Sequence, residues 1–578
     1  MGLNPVSFGA NYTHYFIDIV KASGYHWRAA QLGMPDIWQK DLFRDGHFDL
    51  DTMLPKSAPE GYSWLESPPL RNTAREDPHG WAGEWVVEWE GADKARVLEA
   101  GYQSQVQIND RRIEFTTTPD DKVFTRIRFW DIHPTGITKF NVFRKEDEAD
   151  FRAGKIFRKQ AIDYLKQYHV LRTLDIEPAN VCGVRSVSQR SKKSQSSWAG
   201  GISYNSEGLP MGPPIEALFD LAVASDTALW TFVSGMIGCP EVFEQNPPGQ
   251  AFDAIEEVTY ENAEEIINSD EWRLYAKEFI RCLKASGYPS NRILYIELHN
   301  EVWNTSHPFW WFTLFYNGIN KYLLDDPTRP DKYKGKFGSK FGHGYMTAKF
   351  AHVMEAELQA AGMNNPVRYV LATQNANTAT TDAMCGGFEW YFEKLNLDSA
   401  PWKAKAGVST ATYFERGLGP RGVYKFGTDE EAIEFWRQKI TDTPEEAAWD
   451  LVNWYVHTDE PWTIPRVAEY RQRAIDIASS YGIPFIGGYE GGNHGAGPMA
   501  IRNDPFFNQW YKEYLVMGEP GEVLTKARVD AMLGTDPNAI VMNYAGHGII
   551  TLKWPWNDGL YSDGETGRDR GYKPYLRK

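Results

Sequence analysis

The stretch RILYIELHNEVWN, residues 292–304, joins an apolar run to a cluster of polar side chains. The run at 293–296 is apolar at four successive positions, which is typical of a strand buried on both faces. The polar residues that follow are Glu297, His299, Asn300 and Glu301, with Trp303 just beyond them. Such an ending is typical of a parallel strand whose carboxyl end opens into a reactive pocket.

Further apolar runs alternate with helical patterns from about residue 160 onward. The predicted strands lie at 169–176, 227–235, 293–296, 367–375, 405–414, 483–492 and 548–556. An eighth, at 5–12, precedes the helix-like sequence FIDIVKASG. Eight βα units favour an α/β fold with a closed (β/α)8 TIM barrel. A doubly wound open sheet is the alternative, and it is weakened because no glycine-rich phosphate fingerprint follows the first strand.

The segment 46–145 departs from this alternation, because it is rich in strand-type patterns and turn residues. We interpret it as a small antiparallel, sandwich-like β domain inserted after the first βα unit, which occupies residues 1–45. The rest of the catalytic barrel is predicted at 146–578. A structural or cleft-shaping role for the insertion is favoured over independent carbohydrate binding.

Composition argues against several classes of function. The formal net charge of −16 disfavours a nucleic-acid partner, which requires a basic face. No apolar run reaches the roughly 18 residues of a membrane-spanning helix, so no membrane partner is expected. The four cysteines are widely scattered, which predicts neither a zinc site nor a disulfide framework. No metal or organic cofactor is implied.

A second predicted strand end carries another candidate carboxylate. The sequence IPFIGGYEGGNHG, residues 483–495, places Glu490 after an apolar strand and among glycines that permit close approach. Alternation along a strand puts Glu297, His299 and Glu301 on one side, with Glu301 furthest toward the pocket. Two carboxyl groups facing one pocket, one protonated and one ionised, are the minimum for cleaving a glycosidic bond. The alternative is that each glutamate merely ends a strand.

The sequence IELHNEVWN resembles the fourth-strand motif of the retaining glycoside hydrolases of clan A, in which an Asn-Glu pair ends that strand. The resemblance implies a (β/α)8 barrel with Glu301 as general acid/base and Asn300 as the residue that hydrogen-bonds the sugar 2-hydroxyl. It implies Glu490, at the end of the seventh strand, as nucleophile. The further residues that it implies are Arg172 and Tyr413 beside the nucleophile, Trp554 (or Trp556) beneath the cleaved sugar, and Glu297 in the inner shell.

More narrowly, the chain resembles bacterial and phage members of this clan that share the NEVWN and YEGG motifs. The matching segments here are YFIDIVKASG, VLRTLDI, HNEVWN and YEGG, so the likeness extends over nearly the whole chain. Two departures bear on substrate binding. Ser234 and Gly235 stand where many relatives have a Pro-His pair, and LDIEPANV lacks the usual aromatic residue after its Asp.

Other side chains at predicted strand ends are candidates for sugar contacts, each with a structural alternative. Trp230 and Trp303 suit stacking on sugar rings, and core packing is the alternative. His299 is expected to be hydrogen-bonded to a neighbour in the barrel rather than to touch substrate. Gln374 and Asn375 either contact sugar or cap the next helix. His494 lies in the cleft or is an inert loop residue.

The loop at 183–200 is basic within an acidic protein, with Arg185, Arg190, Lys192 and Lys193. The barrel interpretation places it on the catalytic face, where paired cations could receive the carboxylate or sulfate groups of an acidic polysaccharide. A solvated loop with no ligand is the favoured alternative.

These features together predict a retaining glycosidase that cleaves a β-linked poly- or oligosaccharide through a glycosyl-enzyme intermediate. One alternative is a catalytically silent carbohydrate-binding or virion-associated barrel protein, since fold does not dictate activity. Another is a transglycosylase that uses the same residues. No secretion signal is visible at the N-terminus, but an extracellular, periplasmic or virion-associated location is expected rather than a cytoplasmic one.

Overall fold

The structure, a computed structural model, describes residues 1–3, 15–22, 27–70, 83–98, 104–117, 126–174, 176–177, 179, 183–198, 212–240, 252–305, 310–336, 338–414, 416–493, 497–498, 500–501, 504–534, 536, 538–543 and 567–577. Nineteen strands lie within these residues and are numbered in chain order. They are β1 (Gly2–Leu3), β2 (Arg28–Ala30), β3 (Ile37–Trp38), β4 (Phe48–Asp49), β5 (Leu54–Pro55), β6 (Trp64–Glu66), β7 (Gly83–Glu90), β8 (Ala92–Leu98), β9 (Ser104–Asn109), β10 (Arg112–Thr117), β11 (Arg126–Ile132), β12 (Lys139–Arg144), β13 (Val170–Arg172), β14 (Ala228–Val233), β15 (Leu294–Leu298), β16 (Val367–Thr373), β17 (Ala406–Phe414), β18 (Phe485–Asn493) and β19 (Ile540–Asn543).

Helices occupy most of the connections between the later strands. The α-helices span Gln39–Arg44, Glu148–Arg152, Lys159–Leu165, Ile215–Ala224, Phe252–Asn268, Glu271–Ala285, Trp310–Leu324, Asp331–Lys334, Gly338–Ala360, Thr378–Lys394, Ala400–Lys403, Asp429–Asp442, Pro444–His457, Ile464–Ser480, Pro505–Trp510, Glu519–Leu533 and Gly567–Tyr572. A π-helix lies at Tyr511–Met517, and 3-10 turns lie at Ile19–Ala22, Lys145–Asp147, Val187–Gln189 and Lys573–Tyr575. None of the described helices is long and apolar enough to cross a membrane.

A curled parallel sheet lies at the centre of the molecule, in the order β1, β13, β14, β15, β16, β17, β18, β19. The short strand β1 pairs with β13 through Gly2 and Val170, and it also pairs with β19 through Gly2 and Met542. Helices follow most of these strands, so the predicted mixed α/β architecture is confirmed and is compatible with a TIM-like barrel. The six predicted strands between residues 169 and 492 overlap β13 to β18, and β15 and β18 extend beyond the predicted ends.

The first and last strands of this sheet differ from the prediction. The eighth strand, β19, lies at Ile540–Asn543, ahead of the predicted strand at 548–556. The apolar run here is the short AIVM at 539–542, and a strand of four residues leaves little pattern in the sequence. The first strand, β1, has two residues, too few for a recognisable pattern. The predicted strands at 5–12 and 548–556 lie outside the described residues.

Antiparallel sheets are formed by the strands between Arg28 and Arg144. One has the order β12-β7-β10-β9, a second has the order β3-β2-β6-β11-β8, and β4 pairs with β5. The two larger sheets share a hydrophobic core that includes Trp85, Val87, Trp89, Ile113, Phe129 and Phe140. The predicted antiparallel sheets are therefore present, and the domain boundaries at 45 and 145 stay predictions.

The residues of β15 explain how the parallel sheet positions polar groups. All five residues of this strand are buried. Leu294, Ile296 and Leu298 belong to the core between sheet and helices. Tyr295 belongs to a separate interior cluster to which β13, β14, β16, β17, β18 and β19 also contribute. Side chains alternate along a strand, so Glu297 lies on the same inner side as Tyr295.

Candidate active site

Arg172, the last residue of β13, connects the polar side chains at the strand ends. Its guanidinium is fully buried. Nη1 donates to Glu490 Oε1 at 2.7 Å, and Nη2 donates to Asn300 Oδ1 at 2.6 Å. Nε and Nη2 both donate to Glu297 Oε2, at 3.1 and 3.0 Å. Burial opposes the charge of Arg172, but the charges of Glu297 and Glu490 outweigh it and raise the pKa of Arg172 above its usual range.

Glu490 lies near the end of β18 and is 3% exposed. Its second carboxylate oxygen, Oε2, accepts a hydrogen bond of 2.6 Å from the Tyr413 hydroxyl on β17. The neighbouring glycines allow this close packing. A Cβ at Gly491 would lie 2.1 Å from Thr412 Oγ1, and Gly487 has a φ of +124°. Arg172 and Tyr413 therefore hold Glu490 from two sides.

Glu301 lies three residues beyond β15, in a turn that gives it a φ of +47°. It is 8% exposed. Asn304 Nδ2 donates to Oε2 at 3.0 Å, and the Tyr489 hydroxyl donates to Oε1 at 3.3 Å. Burial raises the pKa of Glu301 to about 8, and the nearby charge of Glu490 adds to the rise. Burial and the charge of Glu490 therefore favour the protonated form of Glu301 near neutral pH.

Glu297 lies deeper than the other two carboxyl groups and is fully buried. Besides Arg172, its partner is Trp230, whose indole Nε1 donates to Oε2 at 2.8 Å. Burial raises the pKa of Glu297 to about 7, although Arg172 and Trp230 oppose the rise. Trp230 is itself fully buried and stacks on Tyr295, so it contributes to the interior core and to Glu297.

His299 supports the turn that carries Glu301. It has a φ of +52°, is buried, and stacks on Phe312 at 3.8 Å between ring centroids. Its Nε2 accepts a hydrogen bond of 3.2 Å from the Gly235 backbone N–H, and its Nδ1 lies 3.4 Å from the Tyr316 hydroxyl. An Nε2 that accepts must be unprotonated, so the neutral ring carries its proton on Nδ1.

A second histidine, His343, fixes the residue before this turn. Its Nε2 lies 2.6 Å from the Leu298 carbonyl oxygen, which an Nε2–H donor explains. Burial lowers the pKa of His343 to about 4. Two non-glycine residues of the 292–304 stretch, His299 and Glu301, have positive φ. Such conformations persist only where surrounding contacts determine them.

The packing around Gly235 explains why no side chain stands at this position. A Cβ at this position would lie 1.5 Å from the Tyr316 hydroxyl oxygen and 3.1 Å from His299 Nδ1. The space that a side chain at 235 would take is therefore occupied by Tyr316 and His299. Ser234 Oγ lies 3.3 Å from His299 Nε2, so it belongs to the same cluster.

The remaining predicted site residues are placed as follows. Trp303 is half-buried, and its Nε1 has no hydrogen-bond partner among the described residues. Asn375 is buried and donates to the Val467 carbonyl at 3.1 Å, which ties β16 to the helix Ile464–Ser480. Gln374 is half-buried beside it. The helix Thr378–Lys394 is capped by Asn377 and not by either of them. Trp554, Trp556 and His494 lie outside the described residues.

The cations of the basic loop have partners within the protein. Arg185 is buried and donates to the Cys239 carbonyl, and Arg190 pairs with the buried Glu177. Lys192 and Lys193 pair at 2.5 Å with Asp51 and Asp220. Arg190, Lys192 and Lys193 are therefore paired with carboxylates of the chain, and Arg185 donates to a backbone carbonyl.

One group of potential metal ligands lies among the described residues, and it is formed by Glu216, Glu278 and Cys282. Arg281 Nη2 donates to both carboxylates, at 2.8 and 2.7 Å, so a cation of the chain itself already faces them. Burial raises the pKa of the Cys282 thiol above its usual range, which disfavours the thiolate that binds metals. The group is better explained as a helix-surface ion pair.

Sequence reasoning did not anticipate Tyr489, Asn304 or His343. Asn304 follows Glu301 by three residues, a spacing that could have indicated a turn contact. His343 lies within the long helix Gly338–Ala360, and its position carries no local signal. Tyr489 was missed because simple alternation points it away from the side chain of Glu490.

No protein-family model matches this chain, and no curated protein matches it either. Its chemistry is therefore inferred from the geometry above and from the sequence motifs.

We predict that Gly235→Ala lowers the free energy of unfolding by about 1–3 kcal/mol, because the added methyl group overpacks the Tyr316–His299 contact. Urea unfolding followed by tryptophan fluorescence measures the change. Gly335→Ala is the matched control, because a Cβ there meets nothing within 4 Å. Equal stability of the two variants would show that a methyl group at position 235 does not crowd Tyr316 and His299.

A second prediction concerns pH and stability. The folded-state pKa of Glu301, about 8, exceeds its ordinary value of 4.5, so its contribution to stability is present below pH 4.5 and is lost as the pH rises through 8. Glu301→Gln cannot ionise and escapes this loss. We expect the unfolding temperature of Glu301→Gln, relative to wild type, to rise between pH 5 and pH 9. A difference that does not change with pH would refute the assignment.

Proposed function

We propose that the protein is a retaining glycoside hydrolase that cleaves a β-linked poly- or oligosaccharide by double displacement. The observation that carries the proposal is that two glutamates at the carboxyl ends of two strands have different hydrogen-bond partners and different surroundings. Glu490 is held by Arg172 and Tyr413, whereas Glu301 is buried and protonated near neutral pH. Glycosidases need one carboxylate and one carboxylic acid, and different environments supply them here.

In the first step, a Glu490 oxygen attacks the anomeric carbon, and the bond from that carbon to the leaving oxygen breaks. Glu301 transfers its proton to the leaving oxygen, so the departing sugar leaves as a neutral alcohol. Glu490 then forms an ester with the glycosyl group. Its negative charge is gone at this stage, which removes one cause of the raised pKa of Glu301.

In the second step, Glu301 is the base. It takes a proton from water, the water oxygen attacks the anomeric carbon, and the ester bond to Glu490 breaks. Both glutamates return to their starting protonation states. Arg172 supports this cycle, because it stays paired with Glu297 while Glu490 is esterified.

Asn300 is the proposed contact to the sugar 2-hydroxyl. Arg172 Nη2 donates to its Oδ1, which fixes the orientation of the amide and makes Nδ2 the donor end. This residue precedes Glu301 directly, so it lies beside the acid/base. Hydrogen bonds to the 2-hydroxyl strengthen in the transition state and supply part of the catalysis.

We further propose that the parallel sheet is the closed (β/α)8 barrel that the motifs imply. The pairing of β1 with both β13 and β19 supports closure. In such barrels catalytic groups lie at the carboxyl ends of the strands, which is where Arg172, Glu301 and Glu490 lie. A carbohydrate is the proposed partner.

We predict that Glu301→Gln and Glu490→Gln each lower kcat/KM by about 10²–10⁴-fold or more, because each removes a group that acts in the transition state. Hydrolysis of a panel of aryl β-glycosides and β-glycans measures the loss. Glu355→Gln is the control, since Glu355 lies on the helix Gly338–Ala360 and pairs with Lys405 outside the site.

Trapping with a 2-fluoro glycoside separates this function from a silent binder. Mass spectrometry should locate the glycosyl label on Glu490, and product NMR should show the anomeric configuration of the substrate. Wild-type rates in either glutamine variant, or a label on another residue, would refute the assignment. Products extended by an added acceptor sugar would indicate a transglycosylase.

The basic loop generates a separate prediction about substrate charge. Because Lys192 and Lys193 pair with Asp51 and Asp220, we expect Lys192→Ala/Lys193→Ala to change kcat/KM by no more than about twofold, equally for neutral and uronate-containing glycans. Parallel assays on the two substrate classes measure this. A selective loss on the uronate-containing glycans would assign the loop to binding of acidic polysaccharides.

A further inference from the structure

Tyr489 lies on the inner face of the sheet because of an irregularity in β18. Thr410 of β17 pairs with Gly488, and the next residue, Ala411, pairs with Glu490, so Tyr489 is an extra residue in the pairing. Such a β-bulge places two consecutive side chains on one side of a strand. Tyr489 accordingly belongs to the interior cluster, and Glu490 contacts Arg172 on the same side.

Tyr489 contacts both Arg172, the partner of Glu490, and Glu301. The side chain is fully buried, and the Arg172 guanidinium lies 4.8 Å from the centre of its ring. Its hydroxyl donates to Glu301 Oε1 at 3.3 Å. The residue that precedes the proposed nucleophile therefore contacts the proposed acid/base across the sheet.

The other groups around Glu301 define what this hydrogen bond can do. Glu490 faces it from β18 as a second acid, Arg172 faces it from β13 as a cation, and Glu297 lies behind them on β15. His299 lies in the same turn as a neutral ring. Among the described residues, Asn304 and Tyr489 are the side chains that donate hydrogen bonds to Glu301, one to each oxygen.

We propose that Tyr489 is a positioning residue for Glu301, whose hydroxyl fixes the carboxyl group and stabilises its ionised form for the second step. The inference rests on the proposed function, in which Glu301 must be an acid in one step and a base in the next. A buried carboxylate with too few donors stays protonated and cannot accept the proton of water. A phenol donates to the ionised group without competing for its proton, because its own pKa is raised by burial.

Tyr489→Phe tests this directly, since it keeps the ring and removes the hydroxyl. We expect the pKa of Glu301, followed by ¹³C NMR of its side-chain carboxyl, to rise by about one pH unit. The basic limb of the kcat/KM profile should move up equally, and kcat for substrates limited by the second step should fall at neutral pH. Tyr295→Phe is the control, because it removes another hydroxyl from the same cluster.

A fluorinated tyrosine at position 489 should shift the pKa of Glu301 in the opposite direction to Tyr489→Phe. It keeps the ring and the hydroxyl but makes a stronger donor, so the pKa of Glu301 should fall. This measurement also decides the matter if Tyr489→Phe does not fold.

The outcomes separate the inference from the proposed function. If the wild-type protein hydrolyses glycans and neither substitution moves the Glu301 titration or the basic limb, the inference is overturned. If the wild-type protein hydrolyses no glycan, the proposed function fails, and the catalytic part of the inference fails with it. The NMR titration then still decides whether Tyr489 sets the proton affinity of Glu301.

Discussion

One buried cation, the guanidinium of Arg172, stands among three buried carboxyl groups, those of Glu297, Glu301 and Glu490. A single positive charge cannot compensate three buried negative charges, so protonation of the carboxyl groups is favoured. The raised pKa values of Glu297 and Glu301, about 7 and about 8, express this constraint. Glu301 and Glu490 therefore differ in their surroundings, because Arg172 donates a hydrogen bond to Glu490 and none to Glu301.

The parallel sheet is what makes this arrangement possible. β13, β15 and β18 are distant in sequence, yet their carboxyl ends meet because every strand of the sheet runs in the same direction. The turn after β15 gives Glu301 a position that a regular strand could not provide. Its two positive φ angles, held by His299 and by the hydrogen bond from His343, turn Glu301 back over the sheet.

Sequence patterns predicted much of the sheet and the side chains that face its carboxyl end. Apolar runs located β13 to β18, since strands of three to nine residues that are mostly buried leave a clear pattern. The short strands β1 and β19 carry too few residues for that pattern. Arg172, Tyr413 and Glu297 were named from motifs, and their hydrogen bonds required coordinates. The bulge at Tyr489 and the crowding at Gly235 depend on contacts between distant segments, which no local pattern contains.

The pairing of β18 also restricts how this chain can vary. Nine residues, Phe485–Asn493, run beside seven of β17, Val408–Phe414, with irregularities on both sides of Gly487 and Gly488. Each irregularity adds one residue to β18, and together they bring Glu490 opposite Ala411, a residue of the interior cluster. A change in the number of residues between these irregularities would shift that register. Descendants of this sequence can therefore change side chains in β18 more readily than they can change its length.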